Sequence, residues 1–137
     1  MGRMLTMDIQ ERYTEGQIEF YRRAGMRAEL LAARQDERPF NFSDIVHPIP
    51  IGFTRIEEGD VIEMGGRSWD VRVDHGHAPD HATFWSQDDN LVLCGDQVIP
   101  SISSNIGVYP TEPDANPLAD WLHSCARLQN FARADHL

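Results

Sequence analysis

The chain has 137 residues, 41% of them apolar, and a formal net charge of −10. That length allows one domain at most, with enough apolar material to bury a real core. No apolar run is long enough to span a membrane, and an acidic surface repels phosphate backbones, which excludes nucleic acid as a routine partner.

Residues 1–38 read as helical. The opening MGRMLTMDIQERY has no apolar h-region and no small-residue cleavage site, so it shows no secretory signal. The residues before Asp8 read as the end of a helix that starts outside the chain. Thr14-Glu15-Gly16-Gln17 matches the capping box, in which the Thr and Gln side chains satisfy orphan N–H groups at a helix start. The helix predicted from Glu15 to Ala24 places Ile18 and Tyr21 on one face and stops at Gly25. A second is predicted from Arg27 to Gln35. The arginines of this region alternate with Glu and Asp, as on a solvated helix face.

Residues 39–53, with Pro39, Pro48 and Pro50, read as an extended connection, and 54–112 as a sheet. From Thr54 the apolar period changes to two. Val61–Met64 and Arg67–Val73 flank Gly65-Gly66, a two-residue hairpin signal, because glycine tolerates the positive φ angles such a turn needs. Trp69, Val71 and Val73 alternate with polar residues, which predicts one buried face. A second hairpin pairs Ala82–Trp85 with Leu91–Cys94 across Gln87–Asn90. Leu91-Val92-Leu93-Cys94 is apolar on both faces, as in a strand covered on both sides.

Residues 113–132 form a closing helix. Asn116 caps it and Pro117 suits its first position. Leu118, Trp121, Leu122, Cys125, Leu128 and Phe131 follow the helical period as one apolar stripe, with His123 off it and exposed. Cys94 and Cys125 form no C-x-x-C pair and sit among apolar neighbours. They read as buried free thiols, with a cytoplasmic location as the default.

The chemistry concentrates in His75-Gly76-His77-Ala78-Pro79-Asp80-His81, followed by Gly95-Asp96. Each histidine is expected just beyond a strand end, and Asp96 just after the next apolar strand. Imidazole nitrogens and a carboxylate converging at strand ends suit zinc or a similar metal. By themselves the same residues also fit a solvated polar turn.

The segment from about Gly59 to Leu128 resembles the metallo-β-lactamase superfamily, especially its glyoxalase II and thioesterase-like hydrolases. That family has a strand, a loop of the form PGH-S/T-x-x-H, a hairpin, and a hydrophobic strand ending in GD. Here the loop is HGHAPDH, the strand LVLCGD, and the continuation QVIPSISSN, leading to YPTEPDANPLADWL. His75 and Ala78 depart from the pattern at the loop's edge. The resemblance implies an α+β fold, a partial αβ/βα sandwich with one largely antiparallel or mixed sheet, N-terminal helices and a C-terminal amphipathic helix. It implies that His77 ligates the first metal and that Asp96 bridges two metals or ligates the second. His81 matches a loop histidine that supports the ligands from outside. His75 has no ligand counterpart.

The family's early motif, H-x-H-x-D-H, is a competing match for the loop. HGHAPDH is one residue too long for it, since Asp80 follows His77 by three, and the hairpin and GD that follow belong to the later motif. No H-x-H-x-D-H occurs in the chain, whose other histidines are His47, His123 and His136. By the resemblance, the chain starts in a helical insertion after the early motif and stops where a last strand would begin. The parent is then expected to be a zinc- or other divalent-metal-dependent hydrolase of a small-molecule substrate, with two metals and no catalytic side-chain nucleophile. This chain alone is expected to bind metal weakly or not at all and to be inactive. An exposed inner sheet face predicts a homodimer or domain-swapped assembly. The alternative is a non-catalytic binding module that keeps the sheet and helices.

Overall fold

Thr14 opens the first helix through the capping box expected of it. Its Oγ1 accepts from Gln17 N at 3.3 Å and its own N–H donates to Gln17 Oε1 at 2.9 Å. Helix α1 spans Glu15–Arg23, and Gly25 follows it with φ +85°. Helix α2 spans Ala28–Asp36. Ile18 and Leu31 are buried, and the Arg34 guanidinium lies over the rings of Tyr13 and Tyr21 at 5.2 and 4.5 Å. The computed structural model describes residues 10–41, 44–45 and 52–135. The helix end expected before Asp8, most of the extended connection with Pro48, Pro50 and His47, and His136 lie outside the described residues. The chain divides into two compact units, residues 1–53 with 109–113, and residues 54–108 with 114–137.

The second unit is built on a four-stranded sheet of order β1-β2-β3-β4, with β1 Val61–Met64, β2 Arg67–Asp74, β3 His81–Ser86 and β4 Val92–Leu93. Every neighbouring pair is antiparallel. Gly65 and Gly66 turn the first hairpin at φ +63° and +75°, the positive angles that match the strand twist. Residues paired across strands share a face. The register therefore groups Trp69, Val71 and Val73 with Ser86, Phe84 and Ala82, and Asp70, Arg72 and Asp74 with Trp85, Thr83 and His81.

Helix α3, Pro117–Asp135, packs on the second of these faces. Asn116 Oδ1 accepts from Ala119 N at 3.2 Å and caps it as expected. Phe131 meets Trp85 edge-on at 6.1 Å and carries the Arg72 guanidinium over its ring at 4.9 Å. Arg127 donates to Val73 O at 3.1 Å and pairs with Glu58 at 2.9 Å. The fold is α+β, one antiparallel sheet of four strands with three helices among the described residues.

Three expectations need correction. The apolar run at 91–94 gives only a two-residue strand, with Leu91 and Leu93 each 41% exposed. Among the described residues β4 pairs only with β3, at the edge of the sheet. The α3 stripe is rotated: Leu118 and Leu122 are 55% and 57% exposed, while Ser124 is buried. At about 100° per residue, both leucines lie roughly 120° or more from Ser124 around the helix. His81 is the first residue of β3 rather than a loop residue. Trp69 and Val71 are buried, as the alternation along β2 predicts.

Candidate metal site

β2 ends at Asp74 and β3 begins at His81, so the six residues 75–80 form a loop at one end of the sheet. Asp80 takes φ +52°, and its N–H donates to His75 Nδ1 at 3.3 Å, which closes the loop on itself. The His75 backbone N–H donates to Ser124 Oγ at 2.9 Å. Gly76, at φ +108°, lies directly against α3 beside Trp121. Helix α3 thus holds the loop by a hydrogen bond and by close backbone approach.

The second half of the site is a 3-10 turn, Gly95–Gln97, immediately after β4. Gly95 takes φ +49°, and a Cβ there would stand 3.1 Å from His81 Cε1. The His81 ring therefore packs on the glycine, while its Nδ1 is buried with no hydrogen-bond partner among the described residues. Gln97 is fully buried, and its side-chain amide donates to His75 O at 3.0 Å. Its backbone carbonyl accepts from Ser104 Oγ at 3.0 Å and from Trp121 Nε1 at 3.3 Å. Turn, loop and helix meet at this one residue.

Within this frame His77 Nδ1 lies 3.0 Å from Asn105 O. A carbonyl only accepts, so Nδ1 carries the proton and Nε2 of the neutral ring presents its lone pair. Nε2 faces Asp96 Oδ2 at 3.6 Å. The His77 side chain is largely covered, that of Asp96 is 70% exposed, and the His81 ring stands 5.7 Å from that of His77. Two donors on one tetrahedral cation at roughly 2.1 Å each lie about 3.4 Å apart. The His77–Asp96 pair therefore has the spacing and the donor types of two ligands to a shared zinc-like ion. Among the described residues no group of three or more His, Cys, Asp or Glu side chains is arranged to hold a metal.

Asp74 is the buried acid beneath the loop. Its Oδ2 lies 3.4 Å from Thr83 Oγ1, while Oδ1 has no hydrogen-bond partner among the described residues and stands 4.0 Å from Arg127 Nη1. Burial pushes its carboxyl above the ordinary range, against the opposing pull of Arg127. Cys125, free like Cys94, is also pushed up, by burial and then by the neighbouring Asp74.

The structure thus brings His77 and Asp96 together and sets His81 beside them, while His75 braces the loop. The supports that sequence reasoning missed are Asn105, Gln97, Ser124 and Trp121. Asn105 acts through its backbone and leaves no side-chain signal. Ser124 is a small polar residue beside the apolar stripe of α3, and Gln97 a polar residue directly after the GD pair, so both left a faint one.

The model of the metallo-β-lactamase superfamily matches residues 12–133. A β-lactamase domain protein from Burkholderia ambifaria has a solved structure that aligns with a TM-score of 0.58 and 42% identity, over 62% of this chain and 25% of that one. A metallo-β-lactamase family protein from Thermus thermophilus aligns with a TM-score of 0.56 and 27% identity, over 87% of this chain and 42% of that one. The match thus spans a quarter of the length of the first protein and 42% of the second. No curated protein gives a significant match. With the family model matching nearly the whole chain over a loop and GD turn of the expected form, the chain belongs to the metallo-β-lactamase superfamily.

Proposed function

We propose that this chain carries part of the metal site of a divalent-metal-dependent hydrolase, with His77 and Asp96 as two of the protein donors and zinc as the metal. Superfamily membership supports a metal-dependent hydrolase-type fold, and the superfamily generally binds divalent metals such as zinc. The observation that carries the reading is the tether of His77 Nδ1 to Asn105 O, which leaves Nε2 facing Asp96. Ligating histidines characteristically donate their second ring nitrogen in this way, which fixes the tautomer and the ring orientation. When bound, the metal would acidify a water and polarise a carbonyl or phosphoryl oxygen. Asp96 supplies negative charge against the cation, and His81 supports the turn from behind Gly95. The branch we favour is the glyoxalase II and thioesterase-like one, acting on an ester, a thioester or a related small molecule, in the cytoplasm.

Two protein donors are fewer than the three a catalytic zinc ordinarily has. We therefore expect the 137-residue chain by itself to bind zinc weakly and to show no turnover. The test is a zinc titration followed by NMR at the histidine ring nitrogens, with a thioester and lactone hydrolysis screen beside it. The reading predicts a zinc response at the His77 ring that Asp96→Asn weakens, and zinc-induced shifts of the Asp96 and Gln97 amides that His77→Ala abolishes. No response at His77 would overturn the metal reading and favour a non-catalytic binding module. Turnover with stoichiometric tight zinc would overturn the expected inactivity.

A further inference from the structure

Gln97 is a fully buried amide that directly follows Asp96. Its Nε2 donates to His75 O at 3.0 Å, two residues before His77. Its own carbonyl accepts from Trp121 Nε1 at 3.3 Å and from Ser104 Oγ at 3.0 Å, and Ser104 Oγ also lies 2.7 Å from Asp96 O. Each segment that carries a proposed donor is therefore tied to the other through Gln97, and both are tied to α3.

The cost of this arrangement argues against a packing role. Gln97 Oε1 is buried with no hydrogen-bond partner among the described residues. An acceptor left without a donor is unfavourable in the interior, and an apolar side chain of the same shape would fill the space without that cost. What an apolar residue would not supply is the N–H on His75 O. Departures from local polar satisfaction of this kind concentrate where a site needs them.

We propose that Gln97 is a positioning residue that holds the His75–His77 loop in register with the Asp96 turn and so sets the His77–Asp96 separation. Its relevance to metal rests on the reading of His77 and Asp96 as donors. Methionine in place of Gln97 keeps the volume and drops the donor, exchanging one orphan acceptor, Gln97 Oε1, for another, His75 O, so stability should change little. A structural role would show in stability, whereas a positioning role shows at the site.

The experiment compares the full chain with Gln97→Met in thermal melts, in NMR of His77 and the His75–His77 amides without metal, and in Zn²⁺ titration. The expected result is a melting temperature close to that of the parent chain, with shifted His77 ring-nitrogen signals and faster amide exchange at residues 75–77. Zinc affinity should fall on the order of 10- to 100-fold, the usual loss for a partner that orients a ligand. Unchanged His77 signals and unchanged zinc affinity would overturn the proposal. If the parent chain shows no zinc response but Gln97→Met still shifts the His77 signals, the positioning role stands and the donor reading falls. Should Gln97→Met not fold, Gln97→Leu removes the same N–H on His75 O with a shorter apolar side chain. His77 signals identical to the parent chain there would overturn the proposal equally, and shifted ones support it.

Discussion

Replacing Gly76 with alanine puts a methyl group where α3 already stands. The new Cβ would lie 2.4 Å from Trp121 Cβ, 2.5 Å from Trp121 Cα and 2.6 Å from Trp121 N. Carbon atoms in contact prefer about 3.5–4.0 Å, so loop and helix must separate by roughly 1 Å or more. Two of these three atoms are helix backbone, which has no rotamer to change. The Gly76 φ of +108° adds backbone strain for any L side chain. Strain of this kind costs about 1–3 kcal/mol, and overpacking of a filled site typically costs another 1–3 kcal/mol. A loss of roughly 2–6 kcal/mol is thus expected, a large share of the 5–15 kcal/mol that usually separates folded from unfolded chains. Urea unfolding measures it, with Gly65→Ala as the control. Gly65 also has positive φ, +63°, but open space around it, so alanine there should cost only about 1–2 kcal/mol. Equal losses at the two glycines, or a loss below about 1 kcal/mol at Gly76, would refute the close-approach argument.

Three further outcomes are expected. Ser124→Ala leaves the His75 N–H without its acceptor at a part-buried position, and should lower stability by about 0.5–1.5 kcal/mol in urea; an unchanged midpoint would refute the role of that bond. Thr14→Ala removes half of the capping box and should cost about 0.5–2 kcal/mol, with a loss of helical circular dichroism; a variant that matches the parent chain in both counts against the cap. Burial raises the Asp74 carboxyl pKa in the folded chain, so the folded state holds that proton to higher pH than the unfolded state does. Its contribution to stability is full below the unfolded value, about 3.9, and is lost as pH rises through the folded value. Asp74→Asn removes that dependence, so its urea midpoint should fall less than the parent chain's as pH is raised from about 4. Parallel curves would refute it.

Much of the local structure was legible because its causes are local. Thr14 and Gln17 close a capping box over three residues, Gly65-Gly66 supply the two positive φ angles of a hairpin, and Asn116-Pro117 start α3. Each of these is decided by atoms close together along the chain. The period-two pattern of β2 likewise foretold the burial of Trp69 and Val71. Burial of Asp74 on the opposite face was not foretold, because it depends on Arg127 and Thr83 arriving from α3 and β3.

The candidate site divides in the same way. HGHAPDH and the GD pair pointed to His77 and Asp96 through the family resemblance, since by chemistry and spacing alone the same residues also fit a solvated turn. Their juxtaposition at 3.6 Å, the anchoring of His77 on a carbonyl 28 residues away, and the rotation of α3 that presents Ser124 rather than Leu122 were decided only by tertiary structure. The reason is physical. A helical or strand period fixes which residues share a face. Which way that face turns, and which backbone groups meet it, depends on contacts between segments distant in sequence.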